Sequence, residues 1–393
     1  MTQVRRIFNH PARLLAAAAA ALVAAACSDS TTNTSAPEVS AALSSYGRAQ
    51  FEATAKPKFT TVGHASASTS NTIPFWSSSF TDPTNGVTYP YTMVGTNPFT
   101  GSDQTSVPTA IIPFKFVFAN GVVLDGGGDV AATLASPIFT DYSYPLSAND
   151  ETQYGDAIQR AQFNKLKTAY HVRLDAPTVY PTQTIAVPAN QGTAFLLRNG
   201  SFVGLMDIAW FSNQLNNAIN SQHVSAQTLP IVLTDNTFLY FGTPDNCCVL
   251  GYHGASTSVS GNGGQQVQTY IYASWIIPAT FGGFDQQGNG LGDIHALSHE
   301  VSEWYDDPFV NNLVNPWLTP TAPQYGCTAY LETGDPVVGY WFPLPGNPQP
   351  NSNGVWHPED EVYFSWFARQ VPSIAYKKRY TYIDLFSGPA QGC

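Results

Sequence analysis

The segment His295-Ala-Leu-Ser-His299-Glu300-Val-Ser-Glu303-Trp304-Tyr-Asp306-Asp307-Pro308 packs two imidazoles and four carboxylates into fourteen residues, in a chain where only 11% of residues are charged. With Asp293 as an N-cap, Ile294, Leu297, Val301 and Trp304 recur at helical spacing and make an apolar stripe. His295, His299 and Glu303 repeat every fourth residue on a different face. Asp306-Asp307-Pro308 closes the helix, because the residue before a proline is pushed out of the helical region. The pattern predicts a short core-packed helix that presents imidazoles and carboxylates in a row. Aspartates at a helix C-terminus are unfavourable, so a cation or an arginine is expected to compensate Asp306 and Asp307.

The rest of the chain narrows the setting of that helix. A net charge of −11 over 393 residues leaves no basic patch to neutralise phosphates, which excludes a nucleic-acid partner. Arg5, Arg6 and Arg13 precede an apolar run from Leu14 to Ala26, too short to span a bilayer, so residues 1–26 are expected to be an export signal. Ala24-Ala25-Ala26-Cys27 resembles a bacterial lipobox, which implies a lipidated Cys27 anchored to a membrane; ordinary cleavage after Ala26 would give a secreted protein instead. Residues 27–45 read as a tether. Four cysteines remain, Cys247, Cys248, Cys327 and Cys393, enough for two disulfides in any of three pairings. A bridge between the adjacent Cys247 and Cys248 would need unusual geometry.

The predicted fold class is α+β: an N-terminal β-rich region, 46–150, followed by a zincin-like α/β region, 151–393, with a metal-binding helix. Thr72–Trp76, Val87–Val94 and Ala110–Phe118 are β-branched or aromatic runs separated by Asn-Gly and Asn-Pro turns. Helical spacing is expected over Thr152–Leu166 and over Val203–Ser221, and strands over Leu229–Thr234, Thr237–Phe241 and Gln268–Ile277. Helix, strands and a final helix carrying His-Glu resemble the element order of the zinc metallopeptidases called zincins. In that architecture the sheet and first helix hold the ligand-bearing helix rigid.

The chemistry follows from His299-Glu300-x-x-Glu303, which resembles the H-E-x-x-H zinc signature with glutamate in the last position. Residues at i and i+4 of a helix can bind one ion, and the carboxylate after the first ligand can face an ion-bound water. His299 and Glu303 are therefore expected as zinc ligands and Glu300 as the general base. A third ligand is expected from Leu331-Glu332-Thr-Gly-Asp335-Pro336, with Glu332 the first choice and Asp335 the second; Asp306 and Asp307 are helix-end alternatives. His295, His253 and His357 read more simply as packed histidines. Asp285-Gln-Gln-Gly-Asn-Gly290 imitates a calcium loop, but Ala296 stands where its twelfth ligand should be.

Blocks such as Thr88-Tyr-Pro-Tyr-Thr-Met-Val-Gly95, Cys247-Cys-Val-Leu-Gly-Tyr-His253, Ser298-His-Glu-Val-Ser-Glu-Trp-Tyr-Asp-Asp-Pro-Phe309 and Leu331-Glu-Thr-Gly-Asp-Pro336 resemble a group of largely uncharacterised bacterial secreted proteins. Short matches at Leu233-Thr234, at Cys248, Gly251 and His253, and at Asp307-Pro308 are more distantly similar to phosphate-induced, EXORDIUM-like cell-surface proteins. The expected function is a secreted or lipid-anchored, zinc-dependent metallopeptidase acting on peptide or protein. The distant resemblance implies the alternative, a non-catalytic binding or structural protein of the cell surface.

Overall fold

Apolar runs from both halves of the chain meet in a single mixed sheet of eleven strands. The computed structural model describes residues 43, 45–65, 71–144, 151–259, 265–281, 291–319, 321, 326–350 and 352–393. The expected export signal, Cys27, residues 28–42 of the tether and residues 285–290 lie outside the described residues.

In chain order, α1 (Arg48–Thr54) and β1 (Lys58–Thr61) lead to a hairpin of β2 (Phe75–Thr81) and β3 (Thr88–Val94). Next come β4 (Gln104–Val107), β5 (Thr109–Phe118), β6 (Val123–Asp125), α2 (Val130–Leu134), and the short pair β7 (Tyr142–Ser143) and β8 (Glu151–Thr152). Helix α3 (Tyr154–Gln162) precedes β9 (His171–Leu174), β10 (Thr178–Val179), β11 (Gln183–Val187), β12 (Gly192–Leu196) and β13 (Phe202–Asp207). The second half holds α4 (Ile208–Ser221), β14 (Leu229–Asp235), β15 (Thr237–Tyr240), β16 (Cys247–Val259), β17 (Gln265–Trp275) and α5 (His295–Asp306). Strands β18 (Leu313–Leu318) and β19 (Thr328–Tyr330) follow.

The sheet runs β10-β5-β14-β17-β16-β15-β13-β12, with β1 added to β16, and β6 and β11 to β5. Strands β1 and β5, from residues 46–150, thus pair with β16 and β14 from the second half. The class is α+β. Alternation along the central strands separates two cores: Ile231, Leu233, Ile271 and Ala273 pack with α5, while Val232 and Tyr272 pack with α4. On the α4 side Phe211, Leu215 and Ile219 are buried, each stabilising the fold by about 1.5–3 kcal/mol.

Two local expectations are corrected. The helix expected over Val203–Ser221 is a strand followed by a helix, because Phe202–Asp207 pairs with β12 and β15 on its two sides. Tertiary pairing outweighs helical spacing there, and Gly204, with the ring of Phe118 where a Cβ would sit, disfavours a helix further. Asp207 then caps α4, accepting from the backbone N–H groups of Ala209 and Trp210 at 3.0 Å each. The thirteen-residue strand β16 was not expected, since glycines and small polar residues disguise its pattern.

The cysteines pair as Cys247–Cys248, across a cis peptide bond, and Cys327–Cys393. The adjacent pair, which looked geometrically demanding, is therefore bridged. The second bridge ties the chain terminus to the loop before β19.

Candidate metal centre

Helix α5 is not half-buried. All twelve of its residues are shielded from solvent, the polar face as completely as the apolar one. Val301 and Trp304 face the sheet core, and α3 closes another side: a Cβ on Gly155 would lie 2.3 Å from the Tyr305 ring. Helix α4, the expected brace, lies on the opposite face of the sheet. Asp293 does not cap α5 in the expected way. Its carboxylate accepts from the Ile294 N–H at 2.6 Å, but also from Asn347 Nδ2 at 2.8 Å and the His357 N–H at 3.1 Å, and it pairs with His357 Nδ1 at 2.7 Å.

The polar face of α5 meets β16 on one side and the loop 331–337 on the other. His299 Nε2 lies 3.1 Å from Glu303 Oε1, close to the ~3.3 Å edge of a tetrahedron built on zinc–nitrogen and zinc–oxygen bonds. Ligand atoms of His299, Glu303 and Asp335 all lie within 4.8 Å of one another, and all three side chains are buried. His299 Nε2 has no hydrogen-bond partner, whereas its Nδ1 is 2.7 Å from Glu359 Oε2. Metal-ligating histidines commonly have one ring nitrogen held by a carboxyl group in this way and the other left open. Phe59 of β1 stacks on the imidazole with centroids 3.5 Å apart and planes at 13°.

The loop is shaped to reach the helix. Gly334 lies so near His299 that a Cβ there would sit 2.3 Å from Nδ1. The Gly334 and Asp335 N–H groups both donate to Glu303 Oε1 at 3.2 Å. Glu332 hydrogen-bonds the Glu303 side chain, so one of these two carboxyls holds a proton unless a cation replaces it. Glu300 points the other way, against β16: its Oε2 is 3.2 Å from His253 Nδ1, its Oε1 has no hydrogen-bond partner, and a Cβ on Gly251 would lie 2.8 Å from its Cγ.

Burial dominates the electrostatics of the cluster. Burial first, and neighbouring acids second, push Glu300, Glu303, Glu332, Glu359 and Glu361 well above the usual carboxylate range. Among the described residues, the basic side chains within 4.0 Å of the Glu300, Glu303 and Glu359 carboxyls are all histidines. Burial holds His299 and His253 down at about 3, so both imidazoles are neutral, the form that binds metals. Buried carboxyls around neutral imidazoles stay protonated unless a nearby positive charge favours their ionised form.

The residues expected from the sequence are distributed as follows. His299, Glu303 and Asp335 converge; Glu332 joins through its hydrogen bond to Glu303; Glu300 sits beside them against His253. Asp306 and Asp307 belong to neither group of converging ligand atoms among the described residues. Asp306 Oδ1 accepts from Gln159 and Gln162 at 2.7 Å each, and Asp307 accepts from the backbone of Asn311 and Asn312. Amide donors meet both aspartates, and burial raises both to about 7. His253, read as a packed histidine, belongs to the cluster, as do Glu359 and Glu361. Their signal was present in Trp356-His-Pro-Glu-Asp-Glu361, a second concentration of acids in a chain poor in charge.

No family model, curated protein or solved structure matches the chain.

Proposed function

We propose that the chain is a metal-dependent hydrolase of peptide bonds, secreted or lipid-anchored, with a zincin-like centre in which His299, Glu303 and Asp335 hold zinc. The observation that carries this reading is the unpartnered His299 Nε2 beside Glu303, with Glu359 fixed on the other ring nitrogen. A zinc ion bound there would lower the pKa of a water toward about 7 and polarise a carbonyl. Glu300, the carboxylate next in sequence to His299 and outside its ligand set, would take a proton from water and return it to the leaving amine. Gly334 and Asp335 hold Glu303 in place through their N–H groups. Two carboxylate ligands make the ion a weaker Lewis acid than two histidines would.

Burial favours a second reading. Cluster residues His299, Glu300, Glu303, Glu332 and Asp335 are 0–3% exposed, as suits a structural ion in a binding or cell-surface protein. One pair of variants separates the two. Under the hydrolase reading, Glu300→Gln lowers turnover of a fluorogenic peptide library by about 10²–10⁴-fold while the ion at His299 stays bound. Unchanged turnover removes Glu300 from the reaction. Absence of any bound zinc in the purified protein, with unaltered stability of His299→Ala, refutes both readings.

A further inference from the structure

The two oxygens of Glu303 face different histidines. Oε1 lies toward His299 Nε2 and the loop N–H groups, whereas Oε2 is 3.5 Å from His253 Nδ1. A second triad results: ligand atoms of His253, Glu300 and Glu303 also lie within 4.8 Å of one another, and all three side chains are buried. Each triad contains one imidazole, and Glu303 belongs to both. Within the second triad Glu300 Oε1 lacks a hydrogen-bond partner at 0% exposure, and the neighbouring Glu332 Oε1 lacks one at 2%.

We propose that the centre is dinuclear, with Glu303 bridging one divalent transition-metal ion held by His299 and Asp335 and a second held by His253 and Glu300. The proposal rests on the metal reading above: it keeps the ion at His299 and replaces the general-base role of Glu300 with that of a ligand to the second ion. A bridging carboxylate holds two ions about 3.5–4 Å apart, the spacing of two-metal hydrolytic sites. Ionised together, Glu300, Glu303, Glu332 and Asp335 would carry more negative charge than one divalent ion neutralises. A set of one nitrogen and several oxygens per ion suits zinc, manganese or iron(II). Gly251 leaves room for Glu300 and Gly334 for His299: a Cβ at the first would lie 2.8 Å from Glu300 Cγ, and one at the second 2.3 Å from His299 Nδ1. With both ions in place Glu300 is a ligand, so its substitution changes metal content as well as turnover.

The test counts ions. The full-length chain is stripped with a chelator, loaded with Zn²⁺ or Mn²⁺, freed of excess and assayed by mass spectrometry of the metal. The proposal expects two ions per chain in the wild type and half that number in His253→Ala. It also expects an exchange-coupled spectrum of the manganese-loaded wild type in electron paramagnetic resonance, a readout that needs no variant to fold. One ion per chain in the wild type, with the spectrum of isolated manganese, overturns the second site and leaves the single centre standing. No ion in the wild type overturns both.

Discussion

Gly334→Ala tests the geometry of the centre with a single methyl group. The added Cβ would start 2.3 Å from His299 Nδ1, 2.5 Å from Cε1 and 2.8 Å from Cγ, where ordinary contact begins at 3.4 Å. Either the imidazole or the loop must therefore retreat by about 1 Å. The ring is confined by Phe59 stacked 3.5 Å away and by Glu359 on Nδ1, so the loop is the part that yields. Its movement lengthens the Gly334 and Asp335 N–H contacts to Glu303 and draws Asp335 away from the other two ligands. Overpacking of this kind costs about 1–3 kcal/mol in the metal-free protein. A displacement of about 1 Å is several times the ~0.2 Å tolerance of a metal–ligand bond, so zinc affinity should fall by at least about 10- to 100-fold. Competition titration with a chromophoric chelator measures the affinity, and urea unfolding in chelator measures the stability. Gly388→Ala is the control, because a Cβ there meets nothing within 4 Å. A Gly334→Ala protein with wild-type zinc affinity and stability would refute the placement of the loop on His299.

Two other outcomes are expected. Glu359→Ala should weaken zinc binding by about 10- to 100-fold, and Glu359→Gln should recover part of the loss by accepting from His299 Nδ1; equal affinity in all three proteins would show that Glu359 does not orient the ligand. Away from the centre, burial first and then Asp235 and Asp125 raise Asp129 to about 8. Its folded pKa exceeds its unfolded one, so the native state holds the extra proton and stability falls as pH rises from about 4 to 8. Asp129→Asn removes that loss: its urea midpoint should exceed the wild type's increasingly across this window, and parallel pH profiles would contradict the assignment.

Much of the helix was legible because its signals are local. Ile294, Leu297, Val301 and Trp304 marked one face, Pro308 marked the end, and His299 with Glu303 offered a candidate ligand pair through spacing alone. The loop that meets them was legible from Glu332, Gly334 and Asp335: Asp335 converges with His299 and Glu303, and Glu332 bonds to Glu303. What stayed hidden depends on residues distant in the chain. His253 joins the cluster only because β16 runs beneath α5 in the sheet, and no spacing in Cys247–Val259 announces that. Glu359 meets His299 across sixty residues, and Phe59 covers the ring from the far end of the chain. The strand Phe202–Asp207 was hidden for the same reason, since its pairing partners β12 and β15 override its helical spacing.

Anomalous diffraction at the zinc edge from crystals of the zinc-loaded protein tests the central claim most directly. The account predicts a peak about 2.0–2.2 Å from His299 Nε2 and from carboxylate oxygens of Glu303 and Asp335. No anomalous density among these three side chains, in crystals that hold zinc elsewhere or not at all, would contradict it.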